Sequence, residues 1–201
     1  MNTARDLAIV ALDVAPSRPV EQGDLSLALA GAEMLDLIEA LALALEDDRI
    51  LPSAQSPTGD RLLDEAAASL VRQEPYESVE DWLWRRGRGL SSAYVDDLER
   101  IGVTARARGR RIPLRTARTE LVDSPARRRA EERWAAGEPV LSALAATAGI
   151  HDDPAEDAAE LAGDAVTTVL AAVGDAVMEL EAVRQRRQIE DAAFDNVWRG
   201  Y

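Results

Sequence analysis

Apolar residues recur three and four positions apart along most of this chain of 201 residues. The longest such stripe comprises Leu161, Val166, Val169, Leu170, Val173, Val177, Leu180 and Val183. Side chains with this spacing share one face of an α-helix, and Asp152-Asp153-Pro154 is typical of a helix N-terminus. The stripe therefore predicts a long helix over about residues 154–191, and it leaves the tail, residues 192–201, unassigned.

Shorter segments along the chain show the same helical spacing. Residues that favour helix N-termini precede several of them, namely Asp24, Thr58 or Asp60, Ser78, and Ser124 with Pro125. A chain of this length in which 47% of the residues are hydrophobic is typical of one domain with a sizeable core. We predict a mainly α fold, in which residues 1–201 form a single multi-helix domain.

Two stretches alternate in a way that favours β-hairpins. Leu41–Leu45 and Ile50-Leu51 flank Asp47-Asp48, which predicts a small hairpin. From Val103 to Arg115, apolar residues alternate with arginine or threonine around a turn at Gly109-Arg110. Because successive side chains of a strand point to opposite faces, this second hairpin is predicted to protrude with its arginines outward. Its predicted inward side chains are Val103, Ile112 and Leu114.

The residue types that are missing limit the possible chemistry. Cysteine and lysine are absent, and His151 is the one histidine. This excludes disulfides, metal sites of cysteines or paired histidines, thiolate nucleophiles and catalytic lysines. The carboxylate pairs Asp64-Glu65 and Asp152-Asp153 fit a helix surface and a helix cap better than a catalytic dyad. We therefore expect no catalytic residues, no metal and no cofactor.

Charge is distributed unevenly along the sequence. The net charge is −14, yet residues 85–133 contain fourteen arginines and seven carboxylates and so carry +7. At physiological salt, charges act over about 8 Å, so an acidic protein can present one basic face. Two interpretations stay open for this window: solvated arginines paired with nearby acids, or a patch that faces an anionic partner.

Two clusters in this window are candidates for such a patch. The first comprises Trp82, Trp84, Arg85, Arg86 and Arg88, and the second comprises the hairpin residues Arg106, Arg108, Arg110 and Arg111. Of two tryptophans that lie two positions apart on a helix, one is expected to face the core. The other, Trp84, is a candidate anchor at a membrane interface. We predict that both clusters contribute to a single positively charged surface.

Several segments, in order, resemble the Golgi phosphoprotein 3 family. Residues 57–66, Pro-Thr-Gly-Asp-Arg-Leu-Leu-Asp-Glu-Ala, are similar to the family's Pro-Thr-Gly-Asp-x-Leu-Leu-Asp-Glu-Ala signature. Residues 27–37 resemble its first core helix, 78–82 its Val-x-x-Trp helix, and 98–103 its Val-Glu-x-Gly-Val strand entry. The resemblance covers roughly residues 5–150 and points to a bacterial member of the actinobacterial type.

The resemblance implies a mostly helical, non-enzymatic fold with a protruding hairpin. Eukaryotic relatives bind phosphatidylinositol 4-phosphate at Golgi membranes and act as adaptors for membrane-protein cargo, and the hairpin takes part in self-association. The family's four headgroup-binding positions fall near Glu21 and on Ala30, Arg88 and Ser91, so only Arg88 retains the family's residue type. A phosphomonoester needs several fixed cationic donors, which favours non-specific binding of anionic lipid here.

The predicted function is therefore that of a peripheral membrane adaptor that docks on anionic lipid through a basic face. It is expected at the inner face of the membrane in the cytoplasm, because no segment is typical of a signal peptide or a bilayer span. One alternative is a protein-interaction scaffold that self-associates through the hairpin. A second is a nucleic-acid binder of the winged-helix kind, although the hairpin lacks aromatic residues for base stacking.

Overall fold

The computed structural model describes residues 2–14, 19–54, 56–106, 119–151 and 163–199, and of Arg106, Thr119 and 192–199 it describes the backbone alone. These residues form eight helices and two two-stranded antiparallel sheets, so the prediction of a mainly α fold with two small hairpins is confirmed. The helices are α1 (Thr3–Asp13), α2 (Gln22–Glu39), α3 (Arg61–Ala68), α4 (Val79–Arg86), α5 (Leu90–Arg100), α6 (Pro125–Ala135), α7 (Pro139–Thr147) and α8 (Asp164–Arg199). The strands are β1 (Leu43–Glu46), β2 (Arg49–Pro52), β3 (Thr104–Arg106) and β4 (Thr119–Leu121).

Helix α2 is the central element of the fold, because it contacts α1, α3, α4, α5, α7 and α8. Its residues from Ser26 to Leu37 are all buried, which explains the dense run of leucine and alanine there. The helix begins at Gln22 with Glu21 at its N-cap. The predicted cap, Asp24, lies instead in the first turn, where a carboxylate still interacts favourably with the helix dipole.

Helix α8 packs on α2 where α2 carries glycine. A Cβ atom at Gly31 would lie 2.4 Å from a methyl group of Val173, and one at Gly23 would lie 2.6 Å from Leu180. The predicted start of this helix near residue 154 is wrong, because Gly163 has a φ of +80° and precedes the first helical residue. The helix also runs beyond 191, to Arg199. Residues 152–162 lie outside the described part of the chain.

The segment 57–66 forms a closed capping unit at the start of α3. The Asp60 carboxylate accepts the backbone N–H groups of Leu62 and Leu63 at 2.9 and 3.1 Å. The Asp64 carboxylate accepts both the N–H and the hydroxyl of Thr58, at 2.7 and 2.8 Å. Asp60 also accepts hydrogen bonds from Asn2 and Arg5. The segment therefore caps α3 and ties it to α1.

The small hairpin matches its prediction. Leu43 pairs with Pro52 and Glu46 with Arg49, so the chain turns at Asp47 and Asp48. Asp47 adopts a φ of +52°, a left-handed conformation that aspartate tolerates better than most side chains.

The register of the arginine-rich hairpin differs from its prediction. Strand β3 pairs with β4, and Arg106 lies opposite Thr119. A turn at Gly109-Arg110 would have placed Arg106 opposite a residue near 113, so that register is wrong. Leu121, which packs against the core, and a 2.8 Å bond from the Val122 N–H to the Val103 carbonyl fix the observed pairing. Residues 107–118, with the predicted turn and the inward Ile112 and Leu114, lie outside the described residues.

Arginines of α6 hold that helix against α1. Arg129 and Arg133 both donate to the Asp6 carboxylate, at 3.0 and 2.7 Å, and Asp6 is fully buried. Arg127 donates to Asp13 at the end of α1, at 2.8 Å. These arginines therefore join two helices that lie more than a hundred positions apart in the sequence.

None of the helices that the structure describes carries an apolar stretch long enough to cross a bilayer. The long helix α8 interrupts its apolar face with charged residues such as Asp175 and Glu179.

Candidate functional site

The first cluster of candidate residues lies where α4 ends and α5 begins. Ser78 caps α4 by accepting the Asp81 N–H at 3.0 Å, and Gly87 ends the helix. A Cβ atom at Gly87 would lie 2.6 Å from the Leu83 carbonyl oxygen, so a larger residue would not fit. Gly89 has a φ of +70°, which favours glycine, and α5 starts at the next residue. The two glycines thus present Arg88 at a tight corner.

A cavity of about 270 Å³ opens at this corner, and we call it the corner cavity. It lies between the start of α2, the α4–α5 connection and α8, and its lining comprises Gln22, Gly23, Ser26, Leu27, Trp84, Gly87, Arg88, Gly89, Ser91, Ser92 and Leu180. The Ser91 N–H donates to the Ser26 hydroxyl oxygen at 3.0 Å, which fixes α5 to α2 beneath the opening. Among the described residues of this lining there is one cation, Arg88, and no carboxylate.

Arg88 differs from its neighbours because its guanidinium is not paired with any described carboxylate. Its side chain is exposed and has no hydrogen bond or ion pair to any residue in the described ranges. The other arginines of the window whose side chains are described all pair with carboxylates; they are Arg85, Arg86, Arg100, Arg127, Arg128, Arg129 and Arg133. Most of the described arginines in residues 85–133 therefore form ion pairs within the protein.

Trp82 lies in the core instead of at a binding surface. Its side chain has no exposed area, and its indole Nε1 donates to the Ala30 carbonyl oxygen at 3.2 Å. This corrects its assignment as a lipid-binding candidate, because a molecule at the surface cannot reach it. Trp84 is half-buried and lines the corner cavity. The expectation that one of the two tryptophans faces the core is confirmed.

Arg85 is exposed, but its guanidinium is paired with a carboxylate. It donates to both carboxylate oxygens of Glu77, at 2.6 and 2.7 Å, and its guanidinium lies 5.1 Å from the centre of the Trp82 ring. The hydrogen bonds to Glu77 raise the pKa of Arg85. This arrangement leaves Arg85 with little free charge for an external anion.

Arg86 is an internal residue as well. It donates to both oxygens of Glu33, at 2.6 and 2.8 Å, and to the Leu62 carbonyl oxygen at 3.1 Å. The Tyr94 hydroxyl donates to the same carboxylate at 3.1 Å. Burial raises the pKa of Glu33, and the hydrogen bonds from Arg86 and Tyr94 oppose that rise. Arg86 is therefore a structural residue, which corrects its assignment to the lipid-binding cluster.

The structure does not place the second cluster. The side chain of Arg106 and the whole of Arg108, Arg110 and Arg111 lie outside the described residues. The convergence of the two clusters on one surface therefore stays a prediction.

Sequence reasoning missed the residues that complete the cavity from other elements. Gln22, Gly23 and Ser26 come from α2, and Leu180 comes from α8. The signal for one of them is the polar Ser26 between Leu25 and Leu27 in an otherwise apolar helix. The arrangement can accept an anion at Arg88. No group of three metal-ligating side chains occurs among the residues with described positions.

A family model described as Golgi phosphoprotein 3 (GPP34) matches residues 4–189. The chain belongs to the Golgi phosphoprotein 3 family. This confirms the resemblance that the segment 57–66 carries, and it extends the match through most of α8. No curated protein matches the sequence.

In this Golgi phosphoprotein 3 protein, the four positions that the resemblance assigned to a headgroup pocket differ in environment. Ala30 is fully buried, and Glu21 is the exposed N-cap of α2. Ser91 is 7% exposed and lines the floor of the corner cavity beside the exposed Arg88. Two of the four positions therefore meet at the corner cavity, and Arg88 is the one that carries a positive charge.

Proposed function

We propose that this Golgi phosphoprotein 3 protein is a non-enzymatic, peripheral membrane adaptor that docks on anionic lipid at the corner cavity. The observation that carries this proposal is the unpaired guanidinium of Arg88 in a cavity whose described lining holds no carboxylate. The adaptor role follows from the resemblance to eukaryotic relatives that connect membrane-protein cargo to a lipid surface.

Electrostatics favour this corner over the surroundings of the other described arginines in residues 85–133. The chain has a net charge of −14, so most of its surface repels an anionic membrane. Since charges are screened within about 8 Å at physiological salt, the local charge decides where an anion can approach. Arg88 meets no carboxylate among the described residues of the cavity lining, whereas Arg85, Arg127 and Arg128 each lie beside one.

Two further features support docking at an interface. Trp84 is half-buried beside Arg88, and an indole with one apolar and one polar edge suits the headgroup region of a bilayer. The sequence from 106 to 118 adds six arginines. Each contributes about 1 kcal/mol when it lies near an anionic leaflet. The combined effect is a reversible and salt-sensitive attachment.

We expect the cavity to bind anionic lipids in general and not to select one particular headgroup. A single guanidinium offers one bidentate contact, whereas discrimination between phosphate esters requires several fixed donors. Ala30 cannot supply such a donor, because it is buried and apolar. We therefore expect binding to follow the charge of the lipid surface.

Flotation with lipid vesicles tests the proposal. Vesicles of phosphatidylcholine alone are compared with vesicles that also contain phosphatidylserine or phosphatidylinositol 4-phosphate at equal surface charge. The proposal predicts flotation with both anionic mixtures at low salt, similar binding to the two, and release as salt rises. Equal recovery with neutral and anionic vesicles at low salt would contradict it.

The hairpin is tested separately by charge reversal at Arg108 and Arg110. We expect this double variant to bind anionic vesicles more weakly and with a shallower salt dependence than the wild type. Unchanged binding would restrict the contact to the corner cavity.

A further inference from the structure

The last part of α8 extends beyond the body of the fold. Residues up to Leu180 pack against α2 and α4, with Val169, Val173 and Ala176 buried. Arg184, one turn further, still forms an ion pair with Asp24 of α2. From Gln185 to Asp191 every residue is exposed. We call residues 181–199 the arm, and at 1.5 Å per residue it is about 28 Å long. In proteins most of the stability of a helix comes from the packing of one face against other elements.

One face of the second half of α8 carries exposed apolar side chains. Met178 and Ile189 are 65% and 70% exposed. They lie eleven positions apart, which is close to three helical turns, and Ala182 and Gln185 lie between them on the same face. At its base this face borders an open groove of about 620 Å³ between α8, the end of α7 and the start of α2. An exposed apolar surface that borders a groove is a candidate docking surface.

The order of charges along the arm indicates what covers this face. Arg186 is followed one turn later by Glu190, and neither forms an ion pair within the described ranges. Both residues flank the same side of the Met178–Ile189 face. When two such helices run antiparallel, each flank meets the same flank of the other helix in reverse order. Arginine then meets glutamate. In a parallel pair each flank instead meets the opposite flank of the other helix, so Arg186 and Glu190 would not face each other.

We propose that a second copy of this chain covers the Met178–Ile189 face, with the two arms antiparallel and centred near Gln188. In this register Arg186 lies opposite the partner's Glu190, and Glu190 lies opposite the partner's Arg186. Ile189 contacts the partner's Ile189 across the two-fold axis. The surface is distinct from the arginine-rich hairpin and from the corner cavity, so this inference does not depend on lipid binding.

Charge-swapped variants test both the partner and the register. Arg186→Glu and Glu190→Arg each place like charges opposite one another, so each variant alone is expected to dimerise at least about tenfold more weakly. Mixing the two variants restores both attractive pairs and is expected to restore the dimer. Arg187→Glu is the matched control, because it makes the same charge change on the opposite face and should leave the dimer intact.

The readout is the molar mass of the full chain by light scattering and sedimentation, with circular dichroism to check folding. The wild type is expected at the mass of two chains, and Ile189→Asp at the mass of one. A wild type that stays monomeric at the highest attainable concentration overturns the proposal. So does a mixture of the two charge variants that remains monomeric, or an equal loss of dimer with Arg187→Glu.

Two other occupants of the arm give different results. If the hairpin mediates self-association, charge reversal at Arg108 and Arg110 abolishes the dimer and Ile189→Asp does not. If a membrane covers the arm, the wild type is monomeric and Ile189→Asp loses binding to vesicles of phosphatidylcholine with phosphatidylserine. Either result overturns the assignment of this face to a second copy.

Discussion

Arg86 and Glu33 form a bidentate ion pair inside the protein, with nitrogen–oxygen distances of 2.6 and 2.8 Å. The carboxylate of Glu33 is completely buried, and 16% of the Arg86 side chain is exposed. The pair joins α4 to α2 and holds the end of α4, from which Gly87 leads to Arg88. A residue that looks from the sequence like part of a basic surface is therefore a support for that surface.

Replacing Arg86 by methionine should destabilise the protein by about 3–5 kcal/mol, because it leaves the Glu33 charge buried without its partner. The double variant Arg86→Met with Glu33→Met should recover much of this loss, since no charge is then buried. Unfolding by denaturant measures both. A single variant as stable as the wild type would show that the pair contributes little to folding.

Asp6 supports the fold in a comparable way, because it accepts hydrogen bonds from both Arg129 and Arg133. Asp6→Asn is expected to cost about 2–4 kcal/mol, since two charge-assisted hydrogen bonds to a buried carboxylate are weakened. Arg128→Gln is the matched control on the same helix. Its side chain is 59% exposed and lies 3.6 Å from Asp123, so its loss should change stability by less than about 0.5 kcal/mol. Similar effects of the two variants would contradict this prediction.

The contact between α2 and α8 predicts different outcomes for two glycines. Gly31→Ala should destabilise the protein by about 1–3 kcal/mol, because the added methyl group meets Val173, a stiff and fully buried side chain. Gly23→Ala meets the end of Leu180, which is partly exposed and able to move. Since alanine favours helix by about 1 kcal/mol over glycine, this variant should be neutral or more stable. Thermal unfolding distinguishes the two, and equal losses would contradict the packing described.

Asp36 makes stability depend on pH. Its carboxylate accepts the backbone N–H groups of Thr3 and Ala4 at 2.8 and 3.0 Å, yet burial raises its pKa from 3.8 to about 6. Between these two values the folded protein keeps a proton that the unfolded chain has released. The contribution of Asp36 to stability is therefore fully present below 3.8 and is lost as pH rises through about 6, by an amount on the order of 3 kcal/mol.

The variant Asp36→Asn isolates this effect, because every other titrating group is common to both proteins. We expect the wild type to gain stability relative to the variant, by about 2–3 kcal/mol, as pH falls from about 7 to about 4. Denaturant unfolding at a series of pH values measures the difference. A difference that does not change with pH would show that Asp36 keeps an ordinary pKa.

Local interactions explain which parts of the fold could be predicted from the sequence. Asp60 caps α3 through residues two and three positions away, and Ser78 and Ser124 each cap a helix through a residue three positions away. Because the residues in each of these contacts are close together in the sequence, the sequence predicts these helix starts correctly. The predicted start of α8 is wrong, because the apolar stripe in the sequence continues through Gly163 whether or not the backbone there is helical.

Long-range pairing explains why the site could be predicted only in part. Arg85, Arg86 and Arg88 look alike in sequence, but their environments differ. Arg85 pairs with Glu77 and Arg86 pairs with Glu33, whereas Arg88 has no partner among the described residues. Glu33 is 53 positions from Arg86, and Asp6 is 127 from Arg133. No local pattern indicates which arginine keeps a free charge. That distinction comes from the packing of α2, α4 and α8 around the corner cavity.

The central claim is that the free charge of Arg88 attracts anionic lipid, and a comparison of Arg88→Gln with Arg128→Gln tests it most directly. Both changes remove one positive charge from an exposed arginine, but only Arg88 lines the corner cavity. Flotation at low salt with vesicles of phosphatidylcholine and phosphatidylserine is predicted to show reduced recovery of Arg88→Gln and wild-type recovery of Arg128→Gln. Equal recovery of the two variants would contradict the claim.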